Sequence, residues 1–277
     1  MRGTPEGLPA AAAPDYAGAA PDLARPAPDL ARAAPDLARA VPDLTGIDLV
    51  IFDKDGTLVD FHGPWGEWAE TLADRIDAAT DIDVRAPLFA VLGYDYVTHR
   101  ALAHGALAAT PMARLREMTV DVVAGRGIPE SVAEAIVAAT WQAPDPVDVA
   151  RPLADLPGLF GHLTAAGRQI AVATTDDRDP TVRTLGALGV ADLVVGIVAA
   201  DDGIPVKPAP DMVLHLAAAA GVAPGRCAVV GDSPKDLAMG RAAGAGLVVG
   251  VLSGVGSRED LAGLADVLLD TVADLLP

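Results

Sequence analysis

The sequence predicts an α/β fold, a Rossmann-like parallel sheet core with helices on both faces and one inserted helical segment. The apolar run at 49–52 shows no polar alternation, which is typical of a strand buried on both faces of a parallel sheet. After residue 151, apolar runs alternate with helical segments, and this order predicts right-handed βαβ units. Residues 61–150 are rich in alanine and leucine and contain no strand-like run, so they predict an all-helical insert.

Proline and glycine residues divide the insert into four predicted helices, at 65–80, 94–105, 111–125 and 129–141. An Ala-Pro-Asp-Pro stretch at 143–146 is predicted to be a hinge that leads back to the sheet. Further strands of the sheet are predicted at 169–174, 193–198, 227–230, 247–252 and 267–269. The helices that connect these strands are predicted at 157–166, 180–188, 210–220 and 234–243.

Residues 1–46 form a Pro/Ala-rich tail in which Pro-Asp-Leu recurs every seven residues, at Pro21, Pro28, Pro35 and Pro42. A proline in each repeat interrupts the helical hydrogen-bond ladder, and one leucine per repeat cannot form the two-residue seam of a coiled coil. We therefore predict a disordered or partly polyproline tail. A docking segment for a partner is the alternative.

Composition excludes several classes of protein. The net charge of −18 argues against nucleic acid and anionic membranes as partners, because both attract basic patches. No apolar run reaches the roughly 18 residues of a transmembrane helix, and no ordinary secretory signal is present, so we expect a cytoplasmic protein. The single cysteine, Cys227, excludes an intramolecular disulfide and suits a reducing compartment.

The first strand ends in two aspartates, Asp53 and Asp55, followed by Gly56 and Thr57. Ligands of open α/β sheets bind beyond the carboxyl ends of the strands, so both carboxylates lie where chemistry is usually done. They repel each other unless a cation or a shared proton intervenes, which favours a divalent metal. Gly56 permits a sharp turn, and Thr57 can cap the next segment of the chain. Loop carboxylates that cap a helix explain the same residues equally well.

Two later stretches add candidate residues. Thr174 ends the second strand of the sheet, where its hydroxyl can bind an anion. Thr175 is the second candidate for this role. Capping of the next helix is the alternative interpretation. Lys207 is an isolated lysine in the proline-rich segment 205–210. Its ammonium can neutralise an anion, although most lysines are only solvated.

A fourth stretch places Asp232, Ser233 and Asp236 where a buried strand runs into a helix that begins with Pro234. Asp232 is a candidate metal ligand, and Asp236 lies one turn into the helix. Capping of this helix by Asp232 and Ser233 is the alternative.

Together, the four stretches resemble the motifs of the haloacid dehalogenase-like (HAD) hydrolase superfamily, in the family's order. Asp-x-Asp-Gly-Thr-Leu matches 53–58, the second motif matches Thr174, Lys-Pro matches 207–208 and Gly-Asp-Ser-x-x-Asp matches 231–236. The resemblance implies a core at 47–60 and 151–277. It also implies a helical cap at 61–150 that closes over the site, similar to phosphoglycolate phosphatase-like members.

The resemblance also implies roles for the catalytic residues. Asp53 would attack the phosphorus and become an aspartyl phosphate, and Asp55 would protonate the leaving oxygen and then activate water. Thr174 would hold a phosphate oxygen, and Lys207 would neutralise the phosphoryl group and the nucleophile.

A Mg²⁺ cofactor is implied at the same site. Asp53, the Asp55 carbonyl and Asp232 would hold the ion, which screens the anionic nucleophile from the anionic phosphate. Asp236 would orient Lys207 or a metal-bound water. The remaining supporting residues are Gly56, Thr57 and Ser233.

The expected activity is hydrolysis of a small phosphorylated metabolite, either phosphoglycolate-like or a sugar phosphate. Asp55 favours phosphate chemistry, because dehalogenases and phosphonate hydrolases of the superfamily lack this acid. A phosphomutase is the first alternative, and a non-catalytic ligand-binding or regulatory protein on the same scaffold is the second. A helical cap also offers a surface for a homodimer.

Several cap residues could contact the substrate, although most of them are expected to be exposed helix surface. The candidates are Arg75, Arg85, Arg100, Arg114, Arg116, His62, His99 and His104. Trp65 and Trp68 form a helical i, i+3 pair that is expected to pack the cap rather than line its pocket. Lys54 departs from the hydrophobic or small residue often found inside the first motif, and no role is assigned to it.

Overall fold

The computed structural model describes residues 41–102, 105–110 and 112–276. Most of the predicted tail, residues 1–40, lies outside this range. The end of the tail is packed, because Leu44 is buried in the main core cluster and its carbonyl accepts hydrogen bonds from Ile47 and Arg168. The main hydrophobic cluster therefore includes Leu44 of the predicted tail, and the boundary at residue 47 stays a prediction.

The described residues form eight strands and eleven α-helices. The strands are β1 (Leu49–Phe52), β2 (Tyr94–Asp95), β3 (Arg100–Ala101), β4 (Gln169–Ala173), β5 (Gly196–Val198), β6 (Cys227–Gly231), β7 (Leu247–Val251) and β8 (Val267–Leu269). The helices are α1 (His62–Thr80), α2 (Arg85–Leu92), α3 (Ala106–Ala109), α4 (Met112–Ala124), α5 (Glu130–Thr140), α6 (Pro146–Val149), α7 (Leu156–Ala165), α8 (Arg178–Ala187), α9 (Asp211–Ala220), α10 (Pro234–Ala243) and α11 (Arg258–Ala262). Among the helices described, none is both long and apolar enough to cross a membrane.

Six of the strands form one parallel sheet in the order β5-β4-β1-β6-β7-β8. The first strand lies in the middle because its fully buried residues face both layers of helices. Val50 and Phe52 pack in the cluster that contains Phe160 of α7, whereas Leu49 and Ile51 pack in the cluster that contains α9. The predicted α/β fold class is therefore confirmed.

The insert packs around a hydrophobic cluster of its own, which includes Leu72, Leu88, Val123 and Val137. Three of its predicted helices are present as α1, α4 and α5. All described residues fall within one compact unit. The division into a core and a separate cap domain therefore stays a prediction.

The helix predicted at 94–105 is wrong, because β2 and β3 form a two-stranded antiparallel ribbon there. Gly93 ends α2 with φ +69°, and the Asp95 carboxylate accepts hydrogen bonds from the amides of Val97 and Thr98. Such local side-chain bonds compete with the helical ladder. Helix α2 itself was not predicted, because eight residues that include Pro87 give a weak helical pattern.

Candidate active site

The site lies at the carboxyl edge of the sheet, where the chain leaves three neighbouring strands. Strand β1 lies between β4 and β6, so the residues that come after these strands meet at one edge. The connection after β1 leads to β4 on one side, and the connection after β6 leads to β7 on the other side. Open α/β sheets bind ligands at such a reversal of strand order. The edge borders a cavity of about 670 Å³. Its polar lining residues are Asp53, Asp55, Thr110, Thr175, Asp176, Asp177, Lys207, Asp232, Ser233, Lys235 and Asp236.

Asp53 and Lys207 form a buried ion pair at the centre of this edge. The Lys207 Nζ lies 2.5 Å from Asp53 Oδ1 and 2.6 Å from Asp236 Oδ1. Burial raises the pKa of Asp53 to about 6, against the lowering effect of the Lys207 charge. Burial lowers the pKa of Lys207, but the two carboxylates outweigh it and hold that pKa above its usual value. Lys207 is therefore a permanent cation beside the predicted nucleophile.

Asp53, Asp232 and Asp236 form a candidate metal site. Each offers a carboxylate oxygen, and these oxygens lie within 4.8 Å of one another. Burial, followed by the charges of Asp53 and Asp236, raises the pKa of Asp232 well above its usual value. Three clustered carboxylates offer oxygen ligands to a hard divalent cation, which would relieve the repulsion between them. The Asp55 side chain is not part of this cluster, and a contribution of the Asp55 carbonyl to the metal site stays a prediction.

The carboxylate of Asp232 is held by the loop after β7 and by the first motif. Val255 N donates to Asp232 Oδ2 at 2.7 Å, and Thr57 Oγ1 donates to Asp232 Oδ1 at 3.4 Å. Gly56 has φ +85°, and a Cβ atom added to it would lie 2.6 Å from Asp232 Oδ2. A Cβ atom added to Gly254 would lie 1.9 Å from the same oxygen, so neither position has room for a side chain. Thr57 therefore contacts Asp232, and the N-cap position of the next helix, α1, is occupied by Phe61. The Gly254 position was not predicted.

Ser233 caps α10, in agreement with the alternative interpretation of this stretch. Its Oγ accepts from Asp236 N at 3.3 Å, and Asp236 Oδ2 accepts from Ser233 N at 3.0 Å, which forms a capping box. The same Asp236 carboxylate reaches Lys207 through its other oxygen. The cap thus positions Asp236, which in turn holds the lysine.

Thr174 and Thr175, which follow β4, differ in their access to the cavity. Thr174 is 1% exposed, and its Oγ1 accepts a hydrogen bond from Asp176 N at 3.1 Å. Thr175, the second choice in the sequence, lines the cavity. The phosphate-binding role of Thr174 stays a prediction, and the adjacent hydroxyl is the one that borders the cavity.

No role could be assigned to Lys54 from the sequence. In the structure, Lys54 forms an ion pair with Asp55, the predicted general acid. It is 2% exposed, and its Nζ lies 2.7 Å from both Asp55 carboxylate oxygens and 3.1 Å from Asp176 Oδ2. Burial lowers the pKa of Lys54, but Asp55 and Asp176 outweigh it and raise that pKa overall. Burial and the Asp55 charge raise the pKa of Asp176. The lysine thus fixes the Asp55 carboxylate.

Replacing Lys54 by Met is expected to weaken both the fold and the site. Asp55 and Asp176 would then face each other without a cation, which we expect to lower the free energy of unfolding by about 1–3 kcal/mol. Urea denaturation measures this loss, and phosphate release should slow because Asp55 is no longer held. The double variant K54M/D176N should recover part of the stability. Equal urea midpoints for K54M and wild type would contradict this role.

The basic cap candidates do not line the cavity, as far as the structure describes them. Arg85 pairs with Asp74 and Asp77, Arg114 pairs with Glu117, and Arg100 donates to the Gly254 carbonyl. The other described candidates, which also lie outside the lining, are Arg75, Arg116, His62 and His99. His104 lies outside the described residues.

Trp65 and Trp68, the two tryptophans singled out in the insert, differ in whether they border the cavity. Trp68 is 5% exposed and packs in the insert cluster, as predicted. Trp65 packs against the same cluster but also lines the cavity, so the prediction that it would not line the pocket is wrong. Which side of α1 faces the cavity depends on how the helix docks, and the i, i+3 spacing carries no information about that.

Comparison with known proteins identifies the same family as the motifs. A sequence model of the haloacid dehalogenase-like hydrolases matches residues 47–244, more than half of the chain. The phosphoglycolate phosphatase of Rhodospirillum rubrum is 32% identical over 217 residues, which cover 78% of this chain and 83% of that protein. The phosphoglycolate phosphatase of Escherichia coli K12 is 33% identical over 121 residues, covering 43% of this chain and about half (47%) of that protein.

The fold is also found in solved structures. A HAD-family hydrolase from Deinococcus radiodurans R1, solved with bound phosphate and sodium, matches with a TM-score of 0.57 and 22% identity, covering 83% of this chain and 93% of that one. At this identity the likeness concerns the fold alone. The resemblance carried by the four motifs is confirmed by the family match.

Proposed function

Because the chain belongs to the haloacid dehalogenase-like hydrolase family and is a phosphatase of that type, we propose that it is a Mg²⁺-dependent phosphatase acting on a small phosphate monoester. The observation that carries the proposal is the buried Asp53 carboxylate, held 2.5 Å from Lys207 and within a cluster of two further aspartates at the cavity. A reaction through an aspartyl phosphate on Asp53 fits this arrangement. The phosphoglycolate phosphatases among its relatives support phosphate monoesters as the substrate class.

Asp53 acts first as the nucleophile. One of its carboxylate oxygens forms a bond to phosphorus while the bond from phosphorus to the leaving oxygen breaks. Asp55 gives its proton to that oxygen, so the product leaves as an alcohol. Asp55, now a carboxylate, takes a proton from water, and the hydroxide attacks the same phosphorus. Phosphate departs, and the Asp53 carboxylate is restored.

Lys207 and the acidic cluster prepare this attack. The ammonium of Lys207 offsets the negative charge of Asp53 and of the incoming phosphoryl group. When bound by Asp53, the Asp55 carbonyl and Asp232, Mg²⁺ would supply further charge neutralisation between the nucleophile and the phosphate. Ser233 and Asp236 keep Lys207 in place through the α10 cap. Localisation in the cytoplasm and a homodimer stay predictions.

Phosphate release tests the proposal. We expect the full chain to release inorganic phosphate from a small aryl phosphate with Mg²⁺ and to lose this activity with a chelator. The Asp55→Asn variant should also lose it, because hydrolysis of the aspartyl phosphate needs the Asp55 base. A folded wild-type protein that releases no phosphate would overturn the proposal. Interconversion of phosphosugar isomers under the same conditions would favour the mutase alternative instead.

Binding of Mg²⁺ is expected to raise the melting temperature in a pH-dependent way. Saturation at about 100 times the dissociation constant adds about 2.7 kcal/mol to the free energy of unfolding. Protons compete with the metal for Asp53, whose pKa is raised to about 6, and for Asp232, whose pKa is also raised. The Mg²⁺-induced shift should therefore be larger at about pH 7.5 than at about pH 5. Differential scanning calorimetry at both pH values checks this, and equal shifts would contradict it.

A further inference from the structure

The cavity beside Asp53 has two chemically different kinds of lining. The polar groups come from the strand ends and from α10. From the insert, the described lining residues are apolar except for Thr110. The larger apolar side chains of the cavity, which we call the apolar wall, are Phe61, Trp65, Leu107, Met112, Val206 and Val255.

Trp65 in the apolar wall is held by a row of aromatic rings. Its ring centroid lies 6.2 Å from that of Phe61 and 5.8 Å from that of Trp68. The ring centroids of Trp68 and Trp141 are 5.0 Å apart. The Trp68 Nε1 donates to the Gln142 carbonyl at 3.0 Å, which anchors the row. Packing of this kind orders the Trp65 ring before any ligand arrives, so an apolar group can stack on it at little entropic cost.

The charges at the site disfavour a second anionic group on the substrate. Six aspartates line the cavity, and the cations among the described lining residues are Lys207 and Lys235. Lys207 already pairs with Asp53 and Asp236, and Lys235 is exposed at the start of α10. A carboxylate held against the apolar wall would lose its hydration without gaining a partner there. A cavity of about 670 Å³ also has the size of sites for ligands much larger than glycolate.

We propose that the apolar wall selects phosphate monoesters whose leaving alcohol is uncharged and apolar, with an aromatic or branched aliphatic group that stacks on Trp65. This inference rests on the proposed phosphatase function and names its substrate class. The phosphoryl group occupies the edge at Asp53, and the alcohol part extends along the wall. Small carboxylate-bearing esters such as 2-phosphoglycolate are poor substrates, because the insert offers them no described cationic partner.

A matched set of esters tests the specificity. Benzyl phosphate, ethyl phosphate and 2-phosphoglycolate all release a primary alcohol, so they differ mainly in the group that meets the wall. We expect kcat/KM for benzyl phosphate to exceed both others by about tenfold or more. In calorimetry with Mg²⁺, benzylphosphonate should bind more tightly than phosphonoacetate. Turnover of 2-phosphoglycolate equal to or faster than that of benzyl phosphate would overturn the inference and leave the phosphatase function standing.

Two variants locate the selectivity in the wall. Trp65→Ala should lower the ratio of kcat/KM for benzyl phosphate to kcat/KM for ethyl phosphate about tenfold, and circular dichroism with thermal unfolding checks that the variant is folded. Met112→Arg should shift preference towards 2-phosphoglycolate by placing a cation in the wall. Unchanged benzyl-to-ethyl ratios in W65A, or an unchanged preference in M112R, would overturn the assignment. Absence of phosphate release from every ester, including the aryl phosphate, would instead contradict the phosphatase function.

Discussion

Replacing Asp53 by Asn is expected to abolish phosphate release while leaving the fold at least as stable as the wild type. The amide cannot attack phosphorus, so kcat should fall by a factor on the order of 10⁴ or more. Stability should not suffer, because the ionised Asp53 is costly at neutral pH. Its pKa in the folded state, about 6, lies above the ordinary value of 3.8, so its ionisation destabilises the metal-free fold increasingly between these two pH values and fully above about pH 6.

Single-turnover kinetics and thermal unfolding without Mg²⁺ check the two parts of this prediction. Asp121→Asn is the matched control, since Asp121 is an exposed carboxylate of α4 that does not line the cavity. The D121N variant should keep wild-type turnover. Mg²⁺-dependent release in D53N at more than a trace of the wild-type rate would show that another group is the nucleophile.

Replacing Lys207 by Met is expected to have the largest effect on stability. Its side chain is 4% exposed and pairs with Asp53 and Asp236, so its loss leaves buried carboxylates without their cation. Removal of one partner from a buried ion pair costs about 3–5 kcal/mol. Mg²⁺ should restore part of the stability by neutralising the same carboxylates, but not the activity, because the ammonium beside the nucleophile is missing.

Urea denaturation with and without Mg²⁺ measures this effect. Lys235→Met is the control for stability, because Lys235 is exposed and its loss should change the free energy of unfolding by only about 0.5 kcal/mol or less. Equal urea midpoints for K207M and wild type would mean that the ion pair does not stabilise the fold. Full activity in K207M would remove the lysine from the mechanism.

The sheet and the acidic edge could be predicted because they depend on local patterns. A continuous apolar run such as 49–52 predicts a central strand, and the carboxyl ends of parallel strands meet at one edge. Asp53 and Asp232, which follow predicted strands, could therefore be placed at that edge, and the resemblance to the family's motifs added Lys207. The structure brings these three residues together as expected.

The contacts that could not be predicted depend on how helices and strands pack against one another. The ion pair between Lys54 and Asp176 requires the lateral register of β1 and β4, in which Phe52 lies opposite Val172, and no sequence pattern specifies that register. The exposure of Trp65 to the cavity depends in the same way on the docking of α1. The ribbon at β2 and β3 arises from side-chain bonds of Asp95 that outweigh a weak helical propensity.

Detection of a phosphoryl group on Asp53 tests the central claim most directly. The Asp55→Asn variant is suited to this, because an aryl leaving group needs little protonation, whereas hydrolysis of the intermediate still needs the base. After mixing this variant with an aryl phosphate and Mg²⁺ and quenching with acid, peptide mass spectrometry should find one phosphoryl group on the peptide that contains Asp53. Release of the phenol and of phosphate at equal rates, with no phosphoryl group on that peptide at any time, would contradict the covalent mechanism.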